Sequence, residues 1–429
     1  MADAPVSTPV WVWLPGLDSP VRAAELSHGN VPRFVYVPAY LDREDAIALD
    51  PIALRLSRKK TGVAVTASDA LPGVLRDAKP AGYGADRLDA QAGKQLTPLE
   101  LLERGVADGV GAVEVCHDIE RKLAWRPKTL ADLKAATEEL AATAPASRAV
   151  RRLADDLDTS AGGERPKVTI EHDGRLWLAK MRDRADKDAM PAREFVTMRL
   201  AREAGLDVAE VDLKTFGAHQ ALLVARFDRT GAPRKPQRWL FASAHTAMNL
   251  PLGALPGDPA RSYLNLGDSL RSWAKGDAEL ASMLRELWRR MAFNALVGNV
   301  DDHPLNHGFL RDQISKTGWR LAPAFDITPA LSKAPDPIAD GVVLKMSTGS
   351  DNLATANKAR LLAAAQHFGI SVEEADHWLL QAAQVVAHGW RPMLEAAAGP
   401  VIESDARMTA LLDDAAQAFA YCEWLVQQA

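Results

Sequence analysis

Cysteine is nearly missing from this chain of 429 residues: only Cys116 and Cys422 occur, far apart and without metal-type spacing. That excludes a disulfide framework and argues against a zinc site, and it fits a reducing cytoplasm. No apolar run reaches the ~18–20 residues that span a bilayer. The stretch Met1-Ala2-Asp3-Ala4-Pro5 lacks a basic region followed by an apolar one, so no secretory signal is expected. A surplus of positive charge is missing too. The net charge is −5 with no basic stripe, which speaks against direct binding of nucleic acid. There are no internal repeats and no long low-complexity tract. What remains is an ordinary globular composition, 47% apolar and 25% charged, in a chain long enough for two or three domains.

Along the chain, residues 9–13 and 33–38 alternate as strands around turns at Gly16, Gly29 and Asn30, suggesting a small β-rich opening unit. Residues 71–88 read as loop. Thr97-Pro98-Leu99-Glu100 then supplies an N-cap, a proline at the first helical position and a capping-box acid, for a helix ending at Arg104. A strand over 109–115 closes the unit. Helices over 129–143 and 148–157 form a linker.

The segment Thr159-Ser160-Ala161-Gly162-Gly163-Glu164-Arg165-Pro166-Lys167 places two glycines before a strand. Such a turn can aim backbone N–H groups into a nest for phosphate oxygens, although the segment alone also reads as a plain surface loop. After Asp173-Gly174, the strand Arg175–Met181 carries Lys180 on the same face as Leu176 and Leu178. A helix opened by Pro191 follows, with Glu194 in its first turn, where it either pairs with the strand lysine or complements the helix dipole. Strands over 208–216 and 220–227 complete a four-strand layer. From about residue 240 the pattern is mainly helical: 241–248, 266–275, 278–296, and helices starting at Ala354, Ser371 and Glu403. Residues 331–348 read as a flexible loop, and Trp378, Trp390 and Trp424 as core.

The chemistry concentrates where the 278–296 helix is broken by Gly298 and Pro304. The stretch Gly298-Asn299-Val300-Asp301-Asp302-His303-Pro304-Leu305-Asn306-His307 packs acids, imidazoles and amides into one loop before the strand Gly308–Leu310. Asp301 and Asn306 stand five apart, as do the base and the metal-binding Asn of the protein-kinase D-x-x-x-x-N loop. Asp326, after a second apolar strand over 319–322, stands where a kinase places its metal-holding Asp. A β-rich lobe, a connector and a helical lobe then predict a cleft with the acids on one wall and Lys180 on the other.

In these motifs the chain resembles the HipA family of bacterial serine/threonine kinases, toxins of toxin–antitoxin pairs. The resemblance rests on the Gly-Tyr-Gly-Ala-Asp-Arg-Leu stretch (82–88), the 160–167 loop, Val224-Ala225-Arg226-Phe227-Asp228-Arg229, the 298–306 loop and Phe325-Asp326-Ile327. It implies an α+β, protein-kinase-like bilobal fold with an extra N-terminal β-rich subdomain and a helical C-lobe. The corresponding divisions are 1–116, a linker over 117–158, an N-lobe over 159–229 and a C-lobe over 230–429. The implied cofactors are ATP and Mg²⁺. Asp301 would orient or accept the substrate proton, with Asn306 and Asp326 holding the metal. Lys180 would bind phosphate and Glu194 would position it, while Ala161, Gly162, Gly163, Glu164, Arg165 and Pro166 would cover the phosphates. Adenine would lie against Ala225, Arg226 and Phe227. His303 would be a phosphate contact or a brace, and Asp302 and His307 flanking residues. Thr159 or Ser160 is the nearest counterpart of the family's regulatory, autophosphorylated serine. Implied partners are a protein substrate, with an aminoacyl-tRNA synthetase as the family's example, and a helix-turn-helix antitoxin (HipB-like) through which DNA is met only indirectly. A small-molecule kinase with the same cleft, and a nucleotide-sensing subunit without turnover, are the competing readings.

Overall fold

The computed structural model describes residues 7–27, 29, 31–141, 167–181, 189–311 and 318–429. The expected helix over 148–157 and the 159–166 segment, including Ala161, Gly162, Gly163, Glu164, Arg165 and Pro166, lie outside the described residues. Two compact units emerge. Unit 1 comprises residues 1–179, 226–252 and 309–319, and unit 2 comprises 180–225, 253–308 and 320–429.

Unit 1 opens with the strands β1 (Ser7–Val12), β2 (Val21–Ser27), β3 (Arg33–Tyr36), β4 (Val63–Ala64) and β5 (Val113–Val115), in the order β4-β3-β2-β1-β5. Alternation buries Val10 and Val12 completely, and Phe34 and Tyr36 on β3 almost so. β2 has no counterpart in the sequence reading. Val-Arg-Ala-Ala-Glu-Leu-Ser is poor in β-formers, and its partners β1 and β3 make it a strand. Residues 71–88 differ as well: Gly73–Asp77 and Tyr83–Ala92 are helices. The glycines and prolines read there as loop formers sit at helix ends, with Pro72 and Gly82 as N-caps. The Thr97 capping box forms as expected on the helix Pro98–Arg104, with both reciprocal bonds present.

A dense group of buried charges holds unit 1 together. Glu114 takes Lys122 at 2.5 Å and Arg238 at 2.8 Å, and the Arg238 guanidinium lies 4.2 Å from the Trp13 ring centroid. The next strands are β6 (Lys128–Thr129), β7 (Lys167–His172) and β8 (Arg175–Met181), whose last two residues belong to unit 2. The expected 241–248 helix is split. Leu240–Ser243 is a strand, and Ser243 caps a short helix, Ala244–Ala247, by accepting from the Thr246 N–H. Asp77 fixes that change of direction through the Ser243 N–H and hydroxyl, both at 2.7 Å.

Unit 2 holds the antiparallel pair β9 (Val211–Phe216) and β10 (His219–Ala225), and the helices Met190–Glu203, Tyr263–Trp273, Leu280–Leu296, Val372–Ala398 and Asp405–Gln427. The two C-terminal helices pack on each other and on Met190–Glu203, where Gly389 lets Leu200 approach. A Cβ at Gly389 would meet Leu200 Cδ2 at 2.7 Å. Trp390 is fully buried and Trp378 nearly so, whereas Trp424 is only half-buried, a partial correction to its core assignment. Residues 331–348 are not a free loop. Val342–Val343 pairs with Thr355–Ala356, and Ser347 exchanges backbone bonds with Arg261 and Tyr263. Unit 2 is therefore mainly helical with short strands, and the described chain as a whole mixes α and β.

Candidate functional site

Three of the charged residues singled out from sequence meet directly inside unit 2. Lys180, at the end of β8, places its Nζ 2.6 Å from Glu194 Oε1 and 2.6 Å from Asp326 Oδ1. Burial alone would lower the lysine pKa. The Asp326 carboxylate, then that of Glu194, outweighs it and holds the ammonium charged well above its ordinary range. Two carboxylates on one buried amine fix its position and leave Asp326 the most open of the three, with 32% of its side chain exposed against 3% for Glu194. Lys180 and Asp326, expected on facing walls of a cleft, are here in direct contact.

The helix bearing Glu194 starts at Met190, so Glu194 lies in the second turn and no acid occupies the first, contrary to the dipole reading. One turn on, the Thr197 hydroxyl donates to the carbonyl of Ile327, binding this helix to the segment beside Asp326. The backbone of Asp326 is itself left-handed, with φ 59°. For a non-glycine residue that costs of order 1 kcal/mol, and it is tolerated best by Asp and Asn.

The second group is the loop after Leu296. Gly298 has φ +58°, and a Cβ there would sit 2.6 Å from the Ala418 carbonyl oxygen, so only glycine fits. Its own carbonyl accepts from the N–H groups of Ala330 at 3.1 Å and Leu331 at 2.9 Å. Pro304 starts a 3-10 turn over Pro304–Asn306. Asp301 is exposed and Asn306 half-buried, and the Asn306 amide nitrogen donates to the Asp301 carbonyl at 3.1 Å. His303 is half-buried, and its Nδ1 is enclosed without a hydrogen-bond partner.

Asp302 and His307, expected only as flanking residues, lie beneath this loop. Asp302 and His307 are 1% and 4% exposed, and His307 Nε2 lies 2.5 Å from Asp302 Oδ1. The Tyr263 hydroxyl donates to Asp302 Oδ2. Asn294 donates to that hydroxyl at 3.0 Å, and Asn299 donates to Asn294 at 3.0 Å. Burial first, then the Asp302 carboxylate, raises the Tyr263 pKa far above its usual value, so the phenol stays protonated. The available signal was a second i,i+5 pair, Asp302 and His307, set one residue out of phase with Asp301 and Asn306.

The connector residues behave differently. In unit 2 the Ala225 N–H donates to Glu210 O, and in unit 1 the Arg226 N–H donates to Leu176 O. The Arg226 side chain is committed to Asp228 at 2.8 Å and Asp108 at 3.0 Å. Phe227 packs 6.2 Å from Phe241, ring centroid to ring centroid.

A cation test applies to Asn306 and Asp326. One carboxylate and one amide oxygen, the amide nitrogen being used on Asp301 O, are hard oxygen donors of the kind Mg²⁺ takes beside phosphate oxygens and water. The donor chemistry therefore fits. Among the described residues no group of three or more His, Cys, Asp or Glu side chains forms a metal site, and no helix is long and apolar enough to cross a membrane.

A lysine held by two carboxylates and a loop with D-x-x-x-x-N thus occur in one unit. Comparison with known proteins narrows the class. Residues 159–390 match the family description "HipA-like C-terminal domain" and residues 12–116 match "HipA N-terminal domain". This chain belongs to the HipA family. A serine/threonine-protein kinase toxin HipA of Shewanella oneidensis is 30% identical over 149 residues, 31% of this chain and 33% of that protein, so the match spans about a third of the curated relative's length. A chain from the Shewanella oneidensis complex of HipA, HipB and operator DNA aligns over 95% of this chain and 98% of its own, with TM-score 0.65 and 18% identity, a likeness of fold. A chain of the Helicobacter pylori proinflammatory kinase CtkA aligns with TM-score 0.40 and 15% identity, over 61% of this chain and 94% of its own.

Proposed function

We propose that this chain is an ATP- and Mg²⁺-dependent serine/threonine protein kinase of the HipA toxin type, working in the cytoplasm. The observation that carries the reading is the Lys180–Glu194–Asp326 triad, formed within the same unit as the Asp301/Asn306 loop. Family membership supports it. Phosphoryl transfer needs placement and neutralisation of oxygen charge more than covalent help.

In this reading Lys180 holds the α/β-phosphates and Glu194 keeps its ammonium charged and aimed. Asn306 and Asp326 would hold Mg²⁺, which when bound neutralises phosphate charge. Asp301, exposed on its loop, orients the acceptor hydroxyl and takes its proton. His303 contacts phosphate or braces the loop, and residues 161–166 cover the phosphates. Adenine lies along Ala225–Phe227. The bilobal, kinase-like arrangement and the division into 1–116, 117–158, 159–229 and 230–429 belong to the same proposal, as does autophosphorylation at Thr159 or Ser160. A HipB-like helix-turn-helix antitoxin would neutralise the kinase and connect it to DNA, in keeping with the complex formed by the structural relative.

The test is to incubate the purified chain with γ-labelled ATP, alone and in lysate. Label in the chain itself or in a protein band supports the reading. Label found only in small metabolites would instead make it a small-molecule kinase.

A further inference from the structure

The loop 297–307 contains two interleaved pairs at the same spacing, and they point opposite ways. Asp301 is exposed and Asn306 half-buried, while Asp302 and His307, each one residue later, are almost wholly buried. Hydrogen bonds of the buried set converge on one carboxylate: Asn299 to Asn294, Asn294 to Tyr263, Tyr263 to Asp302, and His307 to Asp302 from the other side, with Tyr263 and His307 also 3.4 Å apart, hydroxyl to Nε2. A carboxylate only accepts, so Nε2 of His307 carries the proton in this pair. Asn294 belongs to the helix Leu280–Leu296 and Tyr263 opens the helix Tyr263–Trp273, so the chain pins both ends of the loop to two rigid helices. The Tyr263 and His307 rings also meet edge-on, centroids 5.4 Å apart.

We infer that Asp302, His307 and Tyr263 are positioning residues for phosphoryl transfer: their buried network sets the register that presents Asp301 to the acceptor and Asn306 to the metal. This rests on the kinase reading above. With adjacent residues facing opposite sides, anchoring 302 and 307 leaves 301 and 306 only the outward direction. Asn306 closes the arrangement by bonding to the Asp301 carbonyl. Loss of an anchor frees both functional side chains together, and a displacement of ~1 Å at a reacting group costs on the order of 10²-fold in rate.

The experiment uses the full-length chain with His307→Ala, His307→Gln and Tyr263→Phe. Three quantities are read: Tm, Mn²⁺ affinity by electron paramagnetic resonance with a non-hydrolysable ATP analogue present, and kcat and KM of phosphotransfer. His307→Ala is expected to lower kcat about 100-fold and weaken Mn²⁺ binding about 10-fold while KM for ATP moves less than about threefold, the signature of lost transition-state placement. His307→Gln, whose amide N–H reaches Asp302 from nearly the same place as Nε2, should restore most of both. Tyr263→Phe, which keeps the ring and the fold, should show the same split in weaker form. The inference is overturned if His307→Ala and Tyr263→Phe keep both Mn²⁺ affinity and kcat. It is equally overturned if Gln rescues no better than Ala while Tm falls in step with activity, which is the behaviour of a merely structural network. A wild-type chain that neither binds Mn²⁺ with nucleotide nor transfers phosphate removes the kinase reading and this inference with it, whereas variant effects alone bear only on the positioning role.

Discussion

Lys180 is the residue on which two carboxylates converge. Its ammonium offsets Glu194, only 3% exposed, so replacing it by Met removes the positive charge that lies 2.6 Å from that buried carboxylate. Breaking such a pair costs about 3 kcal/mol or more, and chemical denaturation of Lys180→Met should show a loss of that size. Asp77 in unit 1 gives a test of opposite character. Burial pushes its carboxyl up to about 6 from the usual 3.8, against the opposing pull of the Ser243 bonds. The folded form thus binds the proton more tightly than the unfolded one, so this group's contribution to stability grows as pH falls from about 6 toward 4 and is lost as pH rises. Relative to Asp77→Asn, the wild type should gain up to about 3 kcal/mol between pH 7 and pH 4 in unfolding free energy. A pH-independent difference would contradict the assignment. At this scale the sequence was readable where a type and a spacing carried the chemistry: Lys180, Glu194 and Asp326 do come together. It was not readable for Asp302 and His307, because only the fold decides which of two neighbouring i,i+5 pairs faces inward.

Elements explain why the loop is where it is. The helix Leu280–Leu296 ends because Gly298 takes φ +58° and passes within contact of Ala418 on the last helix. Gly298→Ala combines left-handed strain with a backbone clash, and the expected cost is at least about 2 kcal/mol in urea unfolding together with weakened metal–nucleotide binding, since the same carbonyl holds Ala330 and Leu331. Wild-type stability in this variant would show that the turn is replaceable. Periodicity gave the long helices, the β8 strand and the Thr97 cap to within a few residues. It failed for β2, for the helices Gly73–Asp77 and Tyr83–Ala92, and for the strand at Leu240–Ser243. For two of them the partners decide rather than the local pattern: β1 and β3 flank β2, and Asp77 fixes Ser243 from far along the chain. Glu194 sits one residue deeper in its helix than its sequence position suggested, just past the first turn, because the helix begins at Met190 rather than Pro191.

For the whole molecule, the family is established by matches across both its N-terminal and C-terminal regions, while the activity is the reading its charged centre supports. In the proposed reading, with a net charge of −5, DNA would be met through a partner. A HipB-like antitoxin mixed with the chain should co-elute in size-exclusion chromatography and place it on operator DNA, which the chain alone should not bind at physiological salt. The decisive measurement is the rate at which the γ-phosphate of labelled ATP is transferred to protein by the wild type and by Asp301→Ala and Asp326→Ala, side by side with Mg²⁺ present. The wild type is expected to yield phosphoserine or phosphothreonine, and both variants a rate lower by at least ~10³, about 4 kcal/mol of barrier. Transfer that persists in either variant, or none from the wild type, would contradict the kinase reading.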